Sequence, residues 1–298
     1  MLASKIVFCH YPCIDGAASA WAVQEAFPNS EVHCQGIDHN PANNFIYRPG
    51  GYERFGTEKG NDRQVIERTL ESVQGSKEIY FIDYVPNDTA IIGELLEQGH
   101  KVRIFDHHDT AHSNLTALLR EHEDNADFSV VFDRYKSGAR ITWDTLHPEE
   151  EAPELLKLVE KIDLLAFEND KEHKACCYID GYINSPDQQE NIYSFSALVD
   201  EYRRDGLEAM ARKGEVEYGR WKKWRDRVIS SARVIALGDQ KVTIVPAGDI
   251  MEPPRGAKGL IGQGVCRMPP DVAERLGIIE RQQWAARLSR SQYRQAGR

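Results

Sequence analysis

Asp106, His107 and His108 stand together at the end of an apolar run, Val102-Arg103-Ile104-Phe105, and all three side chains can ligate a divalent cation or carry a proton. The same layout occurs twice upstream. Lys5-Ile6-Val7-Phe8-Cys9 runs into His10, and Glu78-Ile79-Tyr80-Phe81-Ile82 runs into Asp83. Open α/β sheets place their chemistry at the carboxyl ends of strands. Three strands that each deliver an imidazole or carboxylate there form a constellation, which one Asp-His-His triplet does not. The first run continues as His10-Tyr11-Pro12-Cys13-Ile14-Asp15-Gly16, where a glycine turn lets several side chains converge. Asp163, in Val159-Glu160-Lys161-Ile162-Asp163 at the end of a helical pattern, is a fourth candidate.

The elements that must position these residues alternate. A strand to His10 leads through Gly16 into a small-residue helix, Ala17–Ala26, and a second strand is expected near Glu31–Gln35. Asp38–Asp62, rich in Gly, Asn and Pro, reads as a long loop or insertion, and Arg48, Arg54, Lys59 and Arg63 make it a candidate lid as well as an ordinary solvated segment. A helix at Arg63–Ser72 precedes the strand to Asp83. Asn87 or Asp88 can cap the helix Thr89–Gln98, and Gly99 is placed to end it. This β-α-β alternation with all-apolar strands predicts an α/β fold with a parallel sheet covered on both faces. Ser137-Gly138-Ala139 opens a helix over Arg140–Leu146. Further helices are expected at Pro153–Ile162 and from about Ser194 to Ala232, then a β-hairpin at Val234–Leu237 and Lys241–Val245. The expected organisation is a metal-binding domain over residues 1–190, a helical connector over 191–232 and a small α+β domain over 233–298.

With 298 residues, 41% hydrophobic and 28% charged, the chain has the composition of a soluble protein with a sizeable core. Its longest apolar runs fall far short of a membrane span, and its N-terminus enters a strand pattern without a signal-peptide layout. The six cysteines (Cys9, Cys13, Cys34, Cys176, Cys177, Cys266) are scattered without zinc-finger spacing or a secreted framework, which points to a reducing cytoplasm. The net charge of −10 argues against broad coating of nucleic acid. Residues 249–298 nevertheless carry +4, leaving −14 for the rest, a division that suits an acidic body holding cations and a basic end holding anions.

The four motifs, in this order and strand context, resemble those of the DHH phosphoesterase superfamily over residues 5–165, with Ser137-Gly138-Ala139 as a further shared feature. That superfamily includes family II inorganic pyrophosphatases, exopolyphosphatases, single-strand exonucleases, nano-RNases and cyclic-dinucleotide phosphodiesterases. The His-to-Asp-Gly spacing is most similar to the branch of oligoribonuclease-type and cyclic-mononucleotide phosphodiesterases. The resemblance implies a DHH-type catalytic domain, two divalent cations, usually Mn2+, and hydrolysis of a small phosphorylated substrate such as a short oligonucleotide or a cyclic nucleotide. By position it implies that His10 and Asp83 hold one cation, and that Asp15, Asp83, His107 and Asp163 hold the other, with Asp83 bridging. Two cations ~3.5–4 Å apart acidify a shared water for attack at phosphorus. His108 would face the substrate, and Asp106 would orient a neighbouring imidazole.

Two departures from the family pattern leave alternatives open. Many relatives carry Asp where this chain has Cys13. A thiolate ligand there favours Zn2+, Fe2+ or Co2+, whereas a spectator thiol leaves the position to water. The Gly-Gly-Gly-His segment that relatives use against substrate is missing. The nearest stretch, Gly259-Leu260-Ile261-Gly262-Gln263-Gly264, is flanked by Arg255, Lys258 and Arg267, which are candidate substrate-binding residues, and it also reads as an ordinary loop. His39, His112, His122, His147 and His173 lack a ligand context, although His112 lies near the third motif. Adjacent Cys176 and Cys177 read as buried small residues, and Asp180 is the fallback for Asp163. The expected activity is metal-dependent phosphoester hydrolysis. The alternatives are a polyphosphate or pyrophosphate hydrolase and a degenerate nucleotide-binding sensor.

Overall fold

The computed structural model describes residues 4–37, 45–48, 51–54, 61–71, 73, 75–109, 111–183, 194–231, 233–237 and 240–244. Two compact units divide the chain, Met1–Phe167 with Tyr182–Gly206, and Glu168–Gly181 with Leu207–Arg298.

The first unit is α/β. Its elements run β1 (Ser4–His10), α1 (Ile14–Ala26), β2 (Val32–Ile37), β3 (Phe45–Arg48), β4 (Gly51–Arg54), α2 (Asp62–Glu71), β5 (Lys77–Ile82), α3 (Ala90–Glu97), β6 (Lys101–Asp106), α4 (His112–Glu121), β7 (Phe128–Phe132), α5 (Gly138–Leu146) and α6 (Glu154–Leu164). Five strands form an all-parallel sheet in the order β2-β1-β5-β6-β7. The chain first builds to one side of β1 and then crosses to build on the other, so the order reverses between β1 and β5. A crevice outside the strand ends at such a reversal is the usual ligand site of open α/β sheets.

Alternating side chains serve the two faces of the sheet. Ile6, Phe8, Ile79, Phe81, Val102 and Ile104 pack with Val65, Ile66, Ile91, Ile92, Leu95, Leu115 and Leu118 of α2, α3 and α4. On the other face lies α1, whose Ala17, Ala18, Ala20, Ala22 and Val23 are all buried, and which packs against β1, α5 and α6. A helix that is apolar all round fits only such a covered position. Trp21 of α1 stacks on Trp143 of α5 with ring centroids 5.7 Å apart.

Several expectations change in detail. The segment expected as a long loop contains the antiparallel pair β3 and β4, whose register runs from Phe45 opposite Arg54 to Arg48 opposite Gly51. Arg63, expected to open a helix and also weighed as part of a lid, belongs to α2 and is bound by Glu67, Asp88 and Glu94. Strand β7 and helix α4 were not anticipated. The Phe128-Ser129-Val130-Val131-Phe132 run is short, and its pairing with β6 makes it a strand. Asp88 Oδ1 accepts the Ala90 N–H at 3.2 Å at the start of α3, and Gly99, at φ 79°, follows its end.

In the second unit, residues 170–181 of α7 (Asp170–Ile183) accompany residues 207–231 of α8 (Ser194–Ser231) and an antiparallel hairpin, β8 (Arg233–Leu237) with β9 (Gln240–Ile244). The stretch around Asp180 is helical through Ile183. The expected single helix from Ser194 is broken at Gly206, where φ is 71° and ψ 178°. His173 of α7 meets the rings of Tyr218 and Trp221 of α8 at 5.0 and 4.2 Å. Among the described residues, no helix is long and apolar enough to cross a membrane.

Candidate metal centre

His10 ends β1, Asp83 directly follows β5, and Asp106 ends β6 with His107 and His108 beyond it. The parallel register brings these three strand ends side by side. Asp83 leaves its strand at φ 55°, a conformation that branched or bulky side chains avoid and Asp tolerates better than most. Asp15 is in the first turn of α1 and Asp163 in the last turn of α6.

The spacing is close. His107 Nε2 lies 3.1 Å from Asp83 Oδ1 and 3.8 Å from Asp15 Oδ2, while its Nδ1 lies 3.5 Å from Asp163 Oδ2. His10 Nδ1 is 3.8 Å from the other Asp83 oxygen, Oδ2. Among the described residues, three donor groups could hold a metal ion: His10, Cys13 and Asp83; Asp83, His107 and His108; Asp15, His107 and Asp163. Within each, one donor atom per residue falls within 4.8 Å of the others. Residues separated by as many as 153 positions in the chain thus cluster in the first unit.

Glycines make the approach possible at two points. A Cβ on Gly16 would lie 1.9 Å from the His10 carbonyl oxygen, so the first turn of α1, which begins before the expected Ala17, packs against the end of β1 only with glycine there. A Cβ on Gly138 would come within 2.8 Å of the Asp83 Cβ and 3.0 Å of Asp15 Oδ2. Gly138 and Ala139 open α5, and their free N–H groups donate to Asp15 Oδ2 at 2.6 Å and Oδ1 at 3.0 Å. The Ser-Gly-Ala motif was legible in the sequence, but its role as the cradle of Asp15 was not.

Asp106 points elsewhere. Its Oδ1 accepts the backbone N–H groups of His107 and His108 at 2.6 and 2.9 Å and lies 2.7 Å from His108 Nδ1. Those bonds outweigh burial and hold its carboxyl below the usual range. With Nδ1 committed to Asp106, the Nε2 edge of the His108 ring faces away from that carboxylate. The side chain is 30% exposed, against 8% for His107.

The electrostatics are those of crowded acids and imidazoles. Burial, then the charge of Asp15, pushes the Asp83 carboxyl up to about 7. For His107, burial opposes charging but is overcome by Asp83, Asp163 and Asp15, which push it up to about 10. His108 is pushed up to about 9, chiefly by Asp106 against burial. Burial and the neighbouring carboxylates push the Cys13 thiol well up. One polar atom is left over. Asp83 Oδ2 is buried and has no hydrogen-bond partner. A buried carboxylate oxygen without a donor is costly, and a cation among these N, O and S donors would satisfy it. The residues fit a metal ion.

Asp62 had no place in the sequence reading, and it supports the loop after Asp83. Its Oδ2 accepts the Tyr84 hydroxyl and the Asn87 N–H, both at 2.7 Å. The signal that could have found it is an acidic side chain at the start of an amphipathic helix.

The remaining histidines have ordinary surroundings. His147 stacks on Trp143 and meets the Ala22 carbonyl at 3.1 Å, His122 packs edge-on to Phe128, and His112 packs against Phe132. Burial pushes His173 down to about 4. Cys176 and Cys177 are buried in α7, and Asp180 lies in the same helix outside the donor groups above. His39, Lys59, Arg255, Lys258, Cys266, Arg267 and the Gly259–Gly264 stretch lie outside the described residues.

No protein-family model matches the chain, and no curated protein matches it. A solved structure, the crystal structure of an uncharacterized protein from Helicobacter pylori G27, aligns over 80% of this chain and 74% of that one, with 10% identity and a TM-score of 0.43.

Proposed function

We propose that this protein is a metal-dependent phosphoesterase that uses two divalent cations, Mn2+ in the leading reading, to hydrolyse a small phosphorylated substrate such as a short oligonucleotide or cyclic nucleotide. The observation that carries the reading is the position of Asp83. It belongs to two donor groups, with Oδ1 toward His107 and an unpartnered Oδ2 toward His10. A carboxylate so placed suits a bridge between cations. The order and strand context of the four motifs, which resemble those of the DHH phosphoesterases, give the reaction class.

His10, Cys13 and Asp83 would hold one cation, and Asp15, Asp83, His107 and Asp163 the other. Bound there, the pair supplies an acidified water and neutralises charge developing at phosphorus. The chain's own residues do the rest. The α5 N-terminus fixes both oxygens of Asp15 through Gly138 and Ala139. Asp106 fixes the ring of His108 through Nδ1, so that the outward Nε2 edge donates a hydrogen bond to a phosphoryl or leaving oxygen. Asp106 is a positioning residue and His108 the group that touches substrate.

The test is a metal-stripped full-length preparation, reloaded with Mn2+ and assayed on a phosphodiester model substrate, dinucleotides, cyclic nucleotides, pyrophosphate and polyphosphate. Turnover on the diesters that requires close to two Mn2+ per chain is expected. Two bound cations with hydrolysis of none of these would remove the enzyme reading and favour a nucleotide sensor.

A further inference from the structure

We propose that the two halves of the centre select different metals: the half built from His10, Cys13 and Asp83 takes a thiophilic divalent cation (Zn2+, Co2+ or Fe2+) through the Cys13 thiolate, and the half built from Asp15, His107 and Asp163 takes a harder ion such as Mn2+. The proposal rests on the two-cation reading above and deepens it by assigning an ion class to each half.

Three observations carry it. The first is the donor sets. His10, Cys13 and Asp83 bring one N, one S and one O donor within 4.8 Å of one another, whereas Asp15, His107 and Asp163 bring one N and two O donors. Where affinity alone ranks the divalent ions in one fixed order, ligand type sorts them, and thiolate selects softer ions than carboxylate does.

The second is the placement of Cys13. It stands at the N-cap of α1 in extended conformation (φ −146°, ψ 137°), yet its side chain makes no capping bond. The Cys13 carbonyl accepts the first helical bond, from the Ala17 N–H at 3.0 Å. The sulfur sits beside the Gly16 N–H at the positive end of the helix, a position that favours an anionic ligand.

The third observation is independent of the cysteine. Asp83 Oδ2, 98% buried by residue exposure, has no hydrogen-bond partner and lies on the His10 side of the carboxylate, 3.8 Å from Nδ1. The unsatisfied oxygen thus belongs to the group that contains the sulfur. Its sister oxygen is engaged 3.1 Å from His107 on the other side. One bridging carboxylate would then face a soft half and a hard half. Binding at the soft half replaces the thiol proton with the metal and releases that proton to solvent.

The experiment is a Co2+ titration of the metal-stripped full-length protein, followed by near-ultraviolet absorption, with metal content measured on Mn2+/Zn2+ mixtures. One equivalent of Co2+ should produce sulfur-to-cobalt charge-transfer absorption, and the second only weak ligand-field bands. With one Zn2+ per chain and Mn2+ in large excess, the protein should load one ion of each. Cys13→Ser should abolish the charge-transfer absorption and weaken one site by at least the roughly 10–100-fold that loss of an outer-shell partner costs. Cys13→Asp, a second variant that keeps an anionic donor, should restore two-ion stoichiometry and admit Mn2+ to both halves. Two Co2+ bound without charge-transfer absorption, persistence of that absorption in Cys13→Ser, or two Mn2+ loaded from the mixture would overturn the sorting and leave the two-cation centre standing. Failure of the wild-type protein to bind any of these ions would overturn the centre and the sorting together.

Discussion

Asp62 and Asp83 are both buried aspartates of the first unit, and the loop from Asp83 to Asn87 connects them. Asp62 is saturated: Oδ2 accepts from Tyr84 and Asn87, and Oδ1 accepts the Arg63 N–H at 2.9 Å. Burial alone would raise its carboxyl, but those bonds win and hold it below the usual range. Asp83, the residue before Tyr84, has positive φ and an unpartnered Oδ2, and its carboxyl is pushed up to about 7. The same chemical group, similarly hidden from water, is thus either fully hydrogen-bonded or left short of partners. Asp62 is closed by donors of the protein itself, whereas Asp83 keeps an open oxygen whose cost a cation would meet.

Removing each aspartate should therefore produce opposite phenotypes. The largest effect is expected for Asp83→Ala, which should abolish cation stoichiometry and turnover together while leaving the metal-free fold at least as stable as the parent. Metal analysis and thermal melting measure both sides, and a variant that keeps two cations would break the comparison. Next comes His108→Ala, which should keep both cations and lose turnover by ~10²–10³-fold, the scale for a charge-stabilising donor. Equal metal loss in the His108 and Asp83 variants would assign His108 to the cage.

Asp62→Ala should act on stability first. It leaves the Tyr84 hydroxyl and the Asn87 N–H without their acceptor, at a cost of about 1–3 kcal/mol in denaturant titrations, with cation stoichiometry unchanged. If stoichiometry falls as steeply as it does in Asp83→Ala, the clamp is part of the centre. The smallest effect is the pH dependence of that clamp. A carboxyl held below its unfolded value of about 3.9 contributes stability above that pH and loses it as pH falls through the folded value. The stability gap between parent and Asp62→Asn should therefore be full near neutrality and shrink below pH ~4. A gap unchanged on acidification would mean that the ionised form is not what the loop needs.

Much of this organisation was written in local pattern. The runs ending at His10 and Asp83 are strands because four consecutive apolar residues suit a sheet buried on both faces, and the run ending at Asp106 follows the same pattern with Arg103 interposed. Gly99 and Ser137 mark helix boundaries because a positive φ and an N-cap acceptor are properties of single residues. Less legible were β7, too short to stand out from a loop, the β3–β4 pair inside a Gly- and Asn-rich segment, and the break at Gly206 within an unbroken helical pattern. For these, pairing partners and packing decide, and periodicity carries no record of either.

By itself the sequence determined which side chains are available as ligands and that each sits at the end of a strand or helix, since both follow from residue type and a period of two or 3.6. Only the tertiary structure decided the strand order that reverses between β1 and β5, the reach of Gly138 across 123 positions to Asp15, the clamp of Asp62 on Tyr84, and which Asp83 oxygen is left without a donor. These are long-range hydrogen bonds and close approaches. They arise when separate elements are brought together in three dimensions, and a local pattern that specifies each element leaves their partners open.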